Sequence, residues 1–173
     1  MFLKIIGAII TITSSALIGL YFSKSLSFRL EDLKQLKKIM IMLRGEIKYS
    51  LSPLPEALEQ ISKRSHYPFK EFLQKVGEEL KKYNGQDLQK IWEQEIDKTL
   101  LKTYLKKGDI AKLKQLGETL GYLDKEMQLN TIDMYLEQLE EEIKYAIDHN
   151  SQTGKLYKNI GLLGGILIVI VFI

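Results

Sequence analysis

Four glutamates stand within six residues in the last third of the chain: Glu137, Glu140, Glu141 and Glu142. Carboxylates so close could chelate a hard cation. Without a histidine or a wrapping loop beside them, they read as the wet face of a helix. The two histidines, His66 and His149, lie far apart and lack any metal-ligand spacing. There is no cysteine, hence no disulfide framework, no thiol nucleophile and no thiolate metal site, which is permissive of a reducing compartment. Neither the phosphate-cradling pattern G-x-x-x-x-G-K-[ST] nor the nucleophile pattern G-x-S-x-G occurs. Trp92 reads as core. The residues therefore point away from an enzyme and predict no cofactor and no metal. What remains is the chemistry of contact: acidic side chains for a partner and glycines for close helix approach.

The glycines fall in pairs. Gly117 and Gly121 sit four apart within a helix-period stretch, where glycine costs about 1 kcal/mol per interior position. Gly121 alone could be a helix terminator, but that leaves Gly117 unexplained, so a close helix crossing is expected there. Gly161 and Gly165 repeat the spacing near the C-terminus, as do Ser15 and Gly19 near the N-terminus. In apolar runs, small-xxx-small pairs let two helices approach closely.

Those runs organise the chain. Residues 5–22 carry no charge, and neither do residues 159–173. The first is near the length that crosses a bilayer core, at about 1.5 Å per residue. A cleavable signal peptide is the rival reading, with Lys4 as its basic start and Ser23, Lys24 and Ser25 as its cleavage site. Its apolar stretch, however, exceeds the ~7–15 residues usual there. The second anchor, residues 160–173, is about 21 Å long as helix, short of a ~30 Å core. It spans if Tyr157 and Asn159 enter the interface or the bilayer thins. Lys24, Arg29, Lys34, Lys37 and Lys38 follow the first run and Lys155 and Lys158 precede the second, with Lys4 alone beyond. The rule that basic flanks stay inside predicts a hairpin with its polar domain in the cytoplasm and both short termini outside. A net charge of +3, with bases and acids interspersed, gives no footprint for nucleic acid.

Between the anchors the pattern is helical, and one polar stretch of this size is a single domain. Leu26, Leu30, Leu33, Leu36, Met40, Leu43, Ile47 and Leu51 form one stripe that continues the first anchor. Ser52 is expected to cap the next helix, with Pro53 at its first position, and that helix carries Leu58 and Ile61. A third begins near Pro68 and stops around Asn84 and Gly85. A fourth holds Leu88, Ile91, Trp92, Ile96 and Leu100. Asp109 is expected to cap a fifth, which Gly121 ends. The sixth starts at Asp124, keeps a heptad rhythm through Leu129, Ile132, Leu136, Leu139, Ile143 and Ala146, and allows a break over residues 150–154. The expected fold is therefore all-α: an antiparallel bundle of about six helices over residues 24–156, flanked by transmembrane anchors at 1–23 and 157–173. Residues 24–49 hold seven basic and three acidic side chains, and residues 124–148 hold eight acidic and two basic. The helices that leave and re-enter the membrane thus carry opposite charge. That favours complementarity within the domain or between subunits, with a plainly solvated acidic face as the rival reading.

Three segments carry a family resemblance. They are Glu46, Ile47, Lys48 and Tyr49 followed by Pro53 and Leu54; residues 113–121 with Asp124 and Gln128; and residues 157–165. With them the chain resembles, over essentially its whole length, the stage III sporulation protein AB family of endospore-forming bacteria. The resemblance implies a mother-cell assembly at the outer forespore membrane, within a secretion-like channel complex active during engulfment. It also implies a soluble domain like that of the inner-membrane platform proteins of type II secretion and type IV pilus machines. Those proteins carry two such domains and three spans; this chain has one domain and two spans. The partners implied are a cytoplasmic secretion-type ATPase (stage III sporulation protein AA) and other channel membrane proteins; the opposite charges of the two long helices separately leave a homo-oligomer open. The expected function is a non-enzymatic platform docking that ATPase, through the acidic row or the corner at Glu46 and Tyr49. The alternative is a membrane-tethered adaptor for a soluble regulator.

Overall fold

The computed structural model describes residues 2–50, 53–82, 87–121 and 124–172. Among them the regular structure is six α-helices and one 3-10 turn. The helices are α1 (Phe2–Tyr49), α2 (Leu54–Ser62), α3 (Phe69–Lys81), α4 (Leu88–Thr99), α5 (Lys107–Leu120) and α6 (Lys125–Phe172); the turn, Leu100–Lys102, follows α4. The expectations placed on Leu51, Ser52, Asn84, Gly85 and Ile173 lie outside the described residues.

The chain divides into two units: residues 1–30 with 144–173, and Glu31–Ile143. Residues 24–30 and 144–156, assigned from sequence to the soluble domain, thus group with the apolar ends. In the first unit, the N-terminal part of α1 and the C-terminal part of α6 are each long and apolar enough to cross a membrane. The most apolar 18-residue stretch of α1 is only 6% buried, and that of α6 only 11%. A core helix of a soluble protein would be covered. These are not.

In the second unit the helical stripes point inward. Leu33, Leu36, Met40 and Leu43 of α1 are at most 1% exposed, and Ile39, outside the expected stripe, joins them. Leu58 and Ile61, Phe69, Phe72, Leu73 and Val76, and Leu113, Leu116 and Leu120 are buried with them, each at most 2% exposed. Each such side chain contributes about 1.5–3 kcal/mol on burial. Trp92 is fully buried; its Nε1–H donates to the Leu113 carbonyl at 2.8 Å, and its ring meets Phe72 edge-on at 4.8 Å between centroids. The one polar atom of the indole is therefore satisfied, which is what lets so large a ring sit at the centre.

The helix ends differ from the sequence reading in detail. Helix α5 starts at Lys107, two residues before Asp109. The Asp109 carboxylate instead reaches back from inside the first turn and accepts the Lys106 N–H at 2.7 Å. An acid there satisfies an orphan donor as well as one before the helix would. Pro53 occupies the capping position of α2 rather than its first turn, and among the described residues no side chain caps that end. Gly121 closes α5 at φ −79°, a right-handed conformation open to any residue. Helix α6 starts at Lys125, one residue after the Asp124 start read from the sequence, and Asp124 stands before it with its Oδ1 accepting the Glu126 N–H at 3.0 Å. The break allowed at 150–154 does not occur, and α6 runs through it. Asn150, a residue that favours helix ends, is held mid-helix because its side-chain amide donates to the Leu26 carbonyl at 2.9 Å.

Candidate interaction surfaces

Within the Glu31–Ile143 unit, α1 and α6 lie side by side. Arg44 forks onto Asp133, its Nε bonded to one carboxylate oxygen and its terminal nitrogen to the other at 2.9 Å. Lys37 meets Glu140 at 3.1 Å. Residues ascend along α1 as their partners descend along α6, so the helices are antiparallel. The basic and acidic helices thus pair within one chain. The Arg44 hydrogen bonds hold the Asp133 carboxyl below the usual carboxylate range.

This seam divides the acidic row. Glu140 faces Lys37, and Glu142 pairs with Lys112 of α5 at 3.0 Å. Glu137 and Glu141 are exposed and make no ion pair among the described residues. The row is therefore two ion-paired carboxylates, of which the Glu140 side chain is still 72% exposed, and two without an ion pair among the described residues. Among the described residues, no three His, Asp or Glu side chains converge as metal ligands.

The corner at Glu46 and Tyr49 lies where α1 ends. Tyr49 is 78% exposed, and Lys48 Nζ stands 5.2 Å from its ring centroid. Glu46, Ser50, Leu54, Lys125 and Gln128 line a hollow of about 370 Å³ beside it. It is bounded by the end of α1, the start of α2 and the start of α6. Sequence reasoning missed a second feature, an apolar groove of about 280 Å³ along the 3-10 turn and α5. There Leu100 is buried while neighbouring Leu101 is 81% exposed. Exposed leucine in a three-residue turn has no periodicity to announce it.

The glycines divide as well. A Cβ on Gly117 would lie 2.7 Å from Trp92 Cγ, inside any tolerated contact. A Cβ on Gly121 would meet Leu88 at an ordinary 3.6 Å. So α4 and α5 cross closely at Gly117 and not at Gly121. In the apolar unit, a Cβ on Gly161 would stand 2.9 Å from both Gly19 Cα and the Ser15 carbonyl. One on Gly165 would stand 3.0 Å from Ile12 Cα and from Ser15 Cβ. The Ser15 hydroxyl donates to the Gly161 carbonyl at 2.6 Å. Backbones in contact, with a hydroxyl satisfied across the gap, are the packing expected of helices lacking a hydrophobic drive to associate. Phe22 and Tyr157, rings 5.7 Å apart, stand on the polar side of this contact.

A helical unit of residues 31–143, and a second unit in which two uncovered apolar helix segments pack backbone to backbone, define the class of this protein. The family model for stage III sporulation protein AB matches residues 4–173, and the chain belongs to that family. It is 31% identical over 169 residues to stage III sporulation protein AB of Bacillus subtilis (strain 168), covering 97% of this chain and 98% of that one. A solved structure of a stage III sporulation protein AB superposes with a TM-score of 0.66 at 31% identity, covering 71% of this chain and 96% of the other.

Proposed function

We propose that the chain is a non-enzymatic membrane platform in a sporulation-specific, secretion-like channel complex. It docks a cytoplasmic secretion-type ATPase, stage III sporulation protein AA, to the assembly at the mother-cell side of the outer forespore membrane. The observation that carries this reading is the pair of apolar helix ends, almost wholly uncovered yet packed together through Gly19 and Gly161. Such a stem suits hydrocarbon and leaves the Glu31–Ile143 unit tethered at both its ends. The basic residues flanking the stem favour a cytoplasmic domain.

Docking is best supported at the corner of Glu46 and Tyr49. An exposed tyrosine beside a hollow with both charge signs, Glu46 and Lys125, has the makings of an anchor site. The acidic row supports it less, because Glu140 and Glu142 are already ion-paired within the chain, to Lys37 and Lys112. The test is capture of the purified ATPase by the full-length protein in nanodiscs. Wild type is expected to bind, and Tyr49→Ala with Glu46→Lys to lose at least tenfold in affinity with an unchanged melt. Absence of binding by wild type would favour the adaptor reading instead.

A further inference from the structure

Away from their core sides, α1 and α6 of the Glu31–Ile143 unit carry two stripes that match. On α1, Lys34, Lys38 and Ile41 are exposed at steps of four and then three. One turn on, a Cβ at Gly45 would meet nothing within 4 Å. On α6, Glu141, Glu137 and Met134 are exposed at the same steps read in reverse. Ile41 is 53% exposed and Met134 63%, so each offers apolar surface beside the charges of its own stripe. Among the described residues none of the four charged side chains makes an ion pair. The stripes cannot satisfy each other within the chain, because Lys37–Glu140 and Arg44–Asp133 occupy the seam between the helices.

We propose that a second copy of the chain docks on this face, α1 of each copy against α6 of the other, about a two-fold axis parallel to the helices. Lys34 then faces Glu141 of the second copy, Lys38 faces Glu137, and Ile41 packs on Met134. Symmetry makes every contact twice. The alternative two-fold, perpendicular to the helices, would set α1 on α1, lysine against lysine, and glutamate against glutamate. Like charges reject it. In the favoured arrangement both α1 helices run the same way, so two copies anchored in one membrane can form it without inverting either.

The register is consistent with the seam. Because Lys37 is level with Glu140 and Arg44 with Asp133, Lys34 is level with position 143. Facing Glu141 therefore offsets the register by two residues, about 3 Å, within the reach of two long side chains. Gly45 presents no side chain to hold the second copy away. Exposed ion pairs are individually weak, so the stripe sets orientation, and confinement to one membrane raises the effective concentration.

The chain has no cysteine, which makes the test direct. Lys38→Cys and Glu137→Cys variants of the full-length protein, co-reconstituted in equal amounts, should be joined by a short bismaleimide into a species of twice 20.0 kDa. Lys90→Cys on α4, paired with Glu137→Cys, should not. In detergent, Lys34→Glu with Lys38→Glu should weaken self-association at least tenfold without changing the melt. Adding Glu137→Lys and Glu141→Lys to that same chain should restore it. A wild type that stays monomeric and uncross-linked overturns the proposal, as does reversal without effect or recharging without rescue. A monomer whose ATPase capture is lost in the Lys34 and Lys38 reversal overturns it too, and assigns the stripe to that partner. The Glu46 and Tyr49 variants probe ATPase docking separately, so each reading can fail alone.

Discussion

The indole of Trp92 fills the space that a side chain at position 117 would need. An ideal Cβ on Gly117 falls 2.7 Å from Trp92 Cγ and 3.0 Å from Trp92 Cβ. The ring cannot yield. It is fully buried, hydrogen-bonded to the Leu113 carbonyl and packed edge-on against Phe72. A glycine that ordinarily weakens a helix is here the condition for α4 and α5 to cross.

Gly117→Ala should therefore destabilise the protein by about 1–3 kcal/mol through overpacking, outweighing the ~1 kcal/mol that alanine gains in helix propensity. Gly108, in the first turn of α5 with nothing within 4 Å of an added Cβ, is the control. Gly108→Ala should stabilise slightly. Thermal melts of both variants decide the matter; a raised melting temperature for Gly117→Ala would remove the crossing from the argument.

The apolar stem should be equally intolerant. Gly161→Leu places a branched side chain where Gly19 Cα and the Ser15 carbonyl stand 2.9 Å from a Cβ. The readout is a disulfide between Ser23→Cys and Gly154→Cys, positions where a Cβ on Gly154 lies 3.2 Å from Ser23 Oγ. It should form readily in the otherwise unaltered chain in membranes and poorly once Gly161→Leu is added. Equal yields would mean the helices do not pack through these glycines.

Topology can be read with a single thiol. Lys106→Cys, exposed before α5, should resist a membrane-impermeant maleimide in intact cells and react after lysis. Reaction in intact cells would place the domain outside and end the ATPase reading.

Stability should fall in acid, with a sign that follows from the carboxylates. Lys81 and Lys63 hold Glu59 below its ordinary value through hydrogen bonds at 2.6 and 3.2 Å, and Lys82 does the same for Glu79. Asp133 is lowered likewise by Arg44. For each, the stabilisation is present above the ordinary carboxylate pKa and is lost as pH falls through the depressed folded value. Asp32 runs the other way: burial raises it, against the lowering hydrogen bond from the Tyr104 N–H. Its contribution is present below 3.8 and is lost as pH rises through the raised value. Melting temperatures between pH 7 and pH 3 should drop overall, and Glu59→Gln with Asp133→Asn should flatten the fall. An unaltered slope in that variant would show these pairs to be idle.

Much of this was legible in the residues alone. The helices, the buried stripe of Leu33, Leu36, Met40 and Leu43, the core position of Trp92 and the two uncovered apolar runs all follow from period, length and composition. These are local properties, because a helix buries whichever face its spacing makes apolar. What the tertiary structure decided depends on neighbours that sequence spacing does not name. Gly117 and Gly121 look alike in the chain, yet only one meets an indole. The four clustered glutamates look alike too, but Lys37 and Lys112 pair with Glu140 and Glu142, while Glu137 and Glu141 make no ion pair among the described residues. Asn150 suggested a break, but its hydrogen bond to the Leu26 carbonyl keeps it within the continuous helix α6. In each case the one-dimensional pattern gives a residue's own preference, and the environment that overrules or confirms it comes from a segment tens of residues away, brought near only by folding.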